Sequence, residues 1–271
     1  MSVIPPLVDS HCHFDFAAFD PDRAAVWAAA QGVGVGQLII PGVAPDQWQA
    51  AAQVSAKYSG IYCAAGVHPW WVKDLVGADL STQQRDKMRD QLRKTLTASP
   101  CVAVGECGLD KLVDGHFEHQ QQLFSMQVEL ACELNMPLII HCRKAHNEVI
   151  ALLRRHRPPA GGVIHAFSGS TRIAETYIDM GFYLGIGGTI TYERAHKTRQ
   201  AVSDVPLTAL LLESDAPDMP LCGRQGERNS PQYLPETLRI LAGLREQSVA
   251  EVAAQTTNNT RRLFRLPDEV G

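Results

Sequence analysis

Six side chains able to bind a divalent metal stand at the ends of apolar runs: His11 and His13 in LVDSHCHFD, Glu106 in VAVGEC, His141 in LIIHC, His165 in VIHAF and Asp215 in LLLESD. In an extended strand the side chains at i and i+2 share a face, so His11 and His13 point the same way and form half of a metal site. Taken alone, the pair reads equally well as surface or capping histidines, because a chain with 10 His is expected to contain chance HxH matches. Six donors exceed what one catalytic zinc takes, since such a site keeps three protein ligands and an open position. Two ions share them sensibly: His11, His13 and Asp215 on one, His141 and His165 on the other, and Glu106 bridging. A metal pair roughly 3.5–4 Å apart can hold a hydroxide and clamp the attacking and leaving oxygens of an ester. Hydrolysis is the implied chemistry, with Asp215 placed to orient the water and take its proton as general base.

Such donors converge only if the elements between them form a suitable frame. Short apolar runs at 7–10, 37–41, 61–67, 101–105, 137–140, 163–164, 182–186 and 209–213 read as strands. Their continuous Ile, Val and Leu content suits parallel strands buried on both faces. Helices are expected at 20–31, with Asp20 as N-cap, and at 47–58, 81–97, 116–134, 144–156 and 171–180. Ser81 and Gln84 open the third of these as a capping box, and segments 234–244 and 249–264 supply the closing helices. Eight strands separated by lengths that admit crossover helices predict one (β/α)8 barrel, an α/β single domain over residues 1–271. An open doubly wound sheet is the alternative. In a barrel all six donors lie at strand C-terminal ends, on one face.

Composition narrows the setting. A chain of 271 residues with 45% hydrophobic content can bury a full core. No apolar stretch is long enough to span a bilayer and no signal-peptide pattern opens the sequence, which places the protein in the cytoplasm, away from membranes. Seven Cys without a CxxC pair fit reduced thiols. A net charge of −4 excludes a protein that coats duplex nucleic acid but not one that binds a small phosphate-bearing end. Nothing in the sequence indicates an obligate protein partner.

Around the donors, Cys12, Cys107 and Cys142 each sit one place from a ligand and are expected to face the helix layer as small apolar fillers. Arg143, Lys144, Arg172, Arg194, Lys197, Arg199, Arg224 and Arg228 crowd the later loops and favour an anionic substrate. His68 in GVHP either contacts substrate or supports a ligand. Trp70 and Trp71 either wedge between helices, the reading favoured here, or stack on a base. Ser168 in FSGS is expected to cap the following helix, with a phosphate oxygen as its other partner. The loop 216–231 is long enough for a substrate-binding lid.

DSHCHFD, GVHP, GECGLD, IIHCRKAH, HAFSGS and ESDAPDM, in that order, resemble the TatD family of metal-dependent hydrolases over about residues 7–265, with GIGGTITY and DAPDMPL nearest its YjjV subgroup. The resemblance implies a TIM-barrel hydrolase holding two divalent cations (Zn, Mn or Mg) through His11, His13, Glu106, His141, His165 and Asp215. It also implies a 3′-to-5′ deoxyribonuclease acting on single-stranded DNA ends bound transiently; from the residues themselves, His68, Arg143 and Ser168 are the candidates for substrate contact and Glu106 and Asp215 those for catalysis. Lys111 stands where the family commonly has an aromatic residue. A metal-activated water can attack a carbonyl as well as a phosphorus, so a carboxylic-ester or amide hydrolase, such as a deacylase of aminoacylated RNA, is the alternative.

Overall fold

The computed structural model describes residues 5–76, 80–98, 100–113 and 115–268. Strands and helices alternate: β1 (Leu7–Asp9), α1 (Arg23–Gly32), β2 (Val35–Ile40), α2 (Trp48–Lys57), β3 (Ile61–Ala65), α3 (Val72–Val76), α4 (Thr82–Ala98), β4 (Cys101–Asp110), α5 (Phe117–Leu134), β5 (Leu138–Arg143), α6 (His146–His156), β6 (Gly162–Ile164), α7 (Thr171–Asp179), β7 (Phe182–Ile186), α8 (His196–Asp204), β8 (Leu210–Leu212), α9 (Leu234–Leu244) and α10 (Val249–Phe264). Every neighbouring strand pair is parallel, and the sheet order follows the chain order from β1 to β8. Ser10 N–H donates to Leu212 O at 2.9 Å, which brings β8 back against β1 and makes the sheet a barrel. The open-sheet alternative is thereby excluded.

Strand alternation divides the apolar residues into two cores. Leu7, Leu38, Ile40, Val104, Leu138, Ile140, Leu184 and Leu212 face the helix layer, whereas Val8, Ile39, Ala64, Ala103, Ile139, Val163 and Leu211 fill the barrel interior. Leu263, Phe264 and Leu266, from the end of α10 onward, join the inner set and plug the barrel. Gln37, fully buried near the start of β2, fixes that plug by donating to Pro267 O at 3.0 Å and accepting from Arg261 Nε at 2.9 Å. The plugged end is therefore the one at which the strands begin, and the opposite end is left for polar residues.

Local signals behave mostly as their chemistry dictates. Ser81 and Gln84 form the reciprocal cap, with Gln84 N–H on Ser81 Oγ at 3.2 Å and Ser81 N–H on Gln84 Oε1 at 3.0 Å. Asp20 does not cap α1: its carboxylate accepts from Arg23 Nη2 at 2.7 Å, and the helix starts three residues later, after a short 3-10 turn at Ala17–Phe19. α8 is absent from the sequence reading because its segment is too polar to show a long apolar stripe; Thr198, Ala201 and Val202 are what it buries. β4 continues five residues past Gly105, carrying Glu106 inside the strand rather than at its end. Gly108 permits this: a Cβ there would lie 2.0 Å from His141 O, and its φ of +143° is one that side chains avoid.

Candidate metal centre

At the polar end of the barrel, Glu106 of β4 is the hub. It is 1% exposed, and its two oxygens face different imidazoles. Oε2 lies 3.2 Å from His11 Nε2 and 3.6 Å from His13 Nε2, and Asp215 Oδ1 lies 3.6 Å from both of those nitrogens. Oε1 lies 3.1 Å from His141 Nδ1, 3.2 Å from His165 Nε2 and 3.3 Å from His68 Nε2. All six sequence-predicted donors thus meet around one carboxylate, with His68 as a seventh member. The His11 and His165 rings stack at 3.7 Å, so the two halves of the site share a wall.

Residues beneath the donors set their orientation. His141 Nε2 is 3.1 Å from Asp110 Oδ2, which leaves Nδ1 directed at Glu106. Likewise His165 Nδ1 is 3.3 Å from Glu213 Oε1, leaving Nε2 directed inward. For His141 that hydrogen bond fixes the tautomer and aims the inner lone pair, the usual support for a metal-binding imidazole, whereas His165 Nδ1 lies close to its carboxylate without a hydrogen bond. His68 differs: Trp70 N–H donates to its Nδ1 at 3.1 Å, so the neutral ring carries its proton on Nε2 and can give it to Glu106. Of the two roles left open for His68, support of a ligand is the one this geometry favours. Asp9, fully buried, accepts from His11 N–H at 3.2 Å and Ser214 N–H at 2.9 Å, tying the β1 donors to those after β8.

Electrostatics at the site are those of crowded donors. Burial, reinforced by the neighbouring His165, lowers His11 to about 4, and burial lowers His68 to about 4 and His13 well below its ordinary range. Burial alone would raise Glu106, but His165, His68 and His11 outweigh it and hold the carboxyl well below its usual range. Burial raises Asp215 to about 8 against the opposing pull of His165, with Glu106 and Glu213 adding to the rise. For His165, burial is overcome by Glu106, Asp215 and Glu213, and its affinity for a proton rises well above normal.

These donors fit divalent metal. His11 Nε2 and Glu106 Oε2 are buried without a hydrogen-bond partner among the described residues although 3.2 Å apart. Lone pairs that converge without a proton between them are satisfied by a cation. His11, His13 and Asp215 offer atoms within 4.8 Å of one another, as do His68, Glu106 and His141, and also His11, His165 and Glu213.

Several expectations about the surroundings need correction. Trp70 does not wedge between helices: it is 58% exposed. Ser168 is not the cap of α7, because that position falls to Ser170; Ser168 is exposed, and its carbonyl lies 3.1 Å from His146 Nε2. The loop 216–231 is not free to act as a lid. Asn229 is buried and its Nδ2 donates to Ser214 O and Asp218 O, each at 2.8 Å, while Tyr192 Oη donates to Pro220 O at 2.7 Å. Arg228 is bound to Asp22 and Arg224 to Glu236, and Arg199 donates to Ile190 O, so these three pin loops rather than await an anion. Arg143, Lys144, Arg172 and Lys197 are exposed with no ion-pair partner among the described residues. Cys12 and Cys107 belong to the helix-facing core and Cys142 packs against it, as alternation requires.

Asp110, Glu213 and Asp9 are not among the donors expected from the sequence although a simple signal marks them. Each lies an even number of residues from a donor, four after Glu106, two before Asp215 and two before His11, and so shares its face wherever the chain is extended.

A parallel barrel with buried His and carboxylate clusters at the C-terminal ends of its strands defines a metal-dependent hydrolase. Residues 8–265 match the family model described as TatD related DNase, and the chain belongs to that family. It is 40% identical to the uncharacterised metal-dependent hydrolase YjjV of Escherichia coli K12, covering 96% of this chain and 98% of that one. The crystal structure of that protein superimposes with a TM-score of 0.90. A protein of Erwinia billingiae named 3′-5′ ssDNA/RNA exonuclease TatD is 36% identical over 92% of this chain and 95% of its own. A TatD-family hydrolase from Entamoeba histolytica shares the fold at a TM-score of 0.81 with 18% identity, covering 97% of this chain and 99% of that one.

Proposed function

We propose that this chain is a two-metal phosphodiesterase that removes nucleotides from the 3′ end of single-stranded DNA, with the whole activity in one barrel domain. The observation that carries this is the division of Glu106: one oxygen faces His11 and His13, with Asp215 beside them, and the other faces His141 and His165. One cation would be held by His11, His13, Asp215 and Glu106, the other by His141, His165 and Glu106. Bound there, the ions would supply Lewis acidity and lower the pKa of water. Imidazoles favour zinc or manganese over magnesium as the resident metal.

The chain's own groups do the rest. Asp215 Oδ1, on a side chain 13% exposed, is more open than Glu106 and takes the proton that the attacking water releases. Asp110 holds the His141 imidazole against rotation through its hydrogen bond to Nε2. Exposed Arg143, the last residue of the His141 strand, and Ser168, after His165, are the groups assigned to phosphate oxygens, with Lys144 in the following loop and Arg172 and Lys197 in the first turns of α7 and α8. The exonuclease name of a relative supplies the choice of nucleic acid over other esters.

The test is hydrolysis of an end-labelled single-stranded oligonucleotide beside an acyl-ester substrate under one metal condition. Stepwise loss of nucleotides from the 3′ end is expected, with Asp215→Asn at least about 10²-fold slower. An intact oligonucleotide with a turned-over acyl ester would overturn the phosphodiester reading.

A further inference from the structure

The large apolar side chains left exposed among the described residues are Val33, Trp70, Leu112 and Ile240, and two of these four hang from one carboxylate beside the metal centre. Asp110, itself 3% exposed, accepts from Trp70 Nε1 at 2.8 Å through Oδ2 and from Leu112 N–H at 2.8 Å through Oδ1. The same Oδ2 lies 3.1 Å from His141 Nε2. Trp70 is therefore no loose surface residue. Its indole is fixed by a buried charge, flanked by Trp71 at 6.4 Å with 24° between planes, and set edge-on to His68 at 5.3 Å. A side chain that is 58% exposed and yet fixed in this way has already lost the rotamer freedom that binding would otherwise cost.

The polar end of the barrel is also asymmetric. Trp70 follows β3 and Leu112 follows β4, whereas Arg143 ends β5, Lys144 follows it, and Arg172 and Lys197 stand in the first turns of the helices after β6 and β7. Aromatic surface on one side of a metal site and free cations on the other match the two faces of a nucleotide, a flat base and an anionic backbone. We propose that Trp70 is a substrate-positioning platform on which a nucleobase of the single-stranded end stacks, with the backbone running toward Arg143, Lys144, Arg172 and Lys197. This rests on the phosphodiesterase reading and deepens it: the substrate class becomes base-bearing, unpaired ends. A base in a duplex has its faces already covered and cannot use the platform.

The test compares kcat/KM for single-stranded oligonucleotides that are identical except that one of the last two nucleotides at the 3′ end is abasic. With metal-loaded wild-type protein, removal of the base that sits on Trp70 is expected to lower kcat/KM by about tenfold or more, chiefly through KM. In Trp70→Ala the normal and abasic substrates are expected to become equivalent. Trp70→Phe, which keeps an aromatic face and loses the Nε1–H bond to Asp110, is expected to retain the discrimination, and bound metal per chain is expected to be unchanged in both variants. A wild-type protein indifferent to the missing base, an Ala variant that still discriminates, or a Phe variant that does not, overturns the proposal while leaving the phosphodiesterase reading intact. Wild-type protein that hydrolyses neither oligonucleotide overturns both.

Discussion

Glu106 is a single carboxylate serving two groups of imidazoles, and its surroundings decide how the metal-free protein responds to pH. Asp215 is raised to about 8 and His165 well above 6.5, so over the window from about 6.5 to 8 the native state keeps protons that the unfolded chain has released. Stability of the metal-free protein therefore falls as pH rises through that window. His11 and His68, lowered to about 4, act in the opposite direction only below about 6.5, where the unfolded chain is the more protonated state. Metal replaces those protons, so the melting temperature gained on adding zinc or manganese is expected to grow between pH 6.5 and 8. Thermal scans with and without metal measure it, and Asp215→Asn is expected to flatten the trend. An equal gain at both pH values would show that the ions bind elsewhere.

Element by element, much of the frame was legible because it is written in short-range chemistry. Eight apolar runs, each long enough only for a strand, mark the barrel, and Ser81 with Gln84 marks a helix start. Other parts are not written there, because the end of an apolar run need not be the end of a strand. β4 continues through Glu106-Cys107-Gly108-Leu109-Asp110 because its partner β5 continues beside it, a tertiary pairing that no local pattern shows. Asp110 was missed for that reason, and with it the anchor of Trp70. Loop 216–231 misled in the other direction, since glycine and proline density reveals nothing of the hydrogen bonds that Asn229 makes. Gly108→Ala tests the β4 account. With a Cβ 2.0 Å from His141 O, it is expected to cost at least about 2 kcal/mol in denaturant unfolding and to reduce metal affinity by displacing His141.

Across the whole molecule, the two ends of the barrel do separate work. No described helix is long and apolar enough to cross a membrane, and the apolar surface is spent on the two cores. Phe264 plugs the end opposite the metal centre, so Phe264→Ala is expected to lower stability by about 3–5 kcal/mol while metal stoichiometry and kcat at a permissive temperature stay near wild type. Chemical denaturation and metal analysis of one preparation would separate the two effects. The closure of β8 against β1 also bears on how the protein is made. During synthesis His11 and His13 emerge early, whereas their partner Asp215 emerges about two hundred residues later and the plug at 263–266 about 250 residues later. Until that stretch has left the ribosome, the first strand has an unpaired edge and the histidines have no completed cage. A chain that ends before residue 215 thus lacks the carboxylate that completes the His11 and His13 cluster, and this half of the site forms only once β8 has emerged.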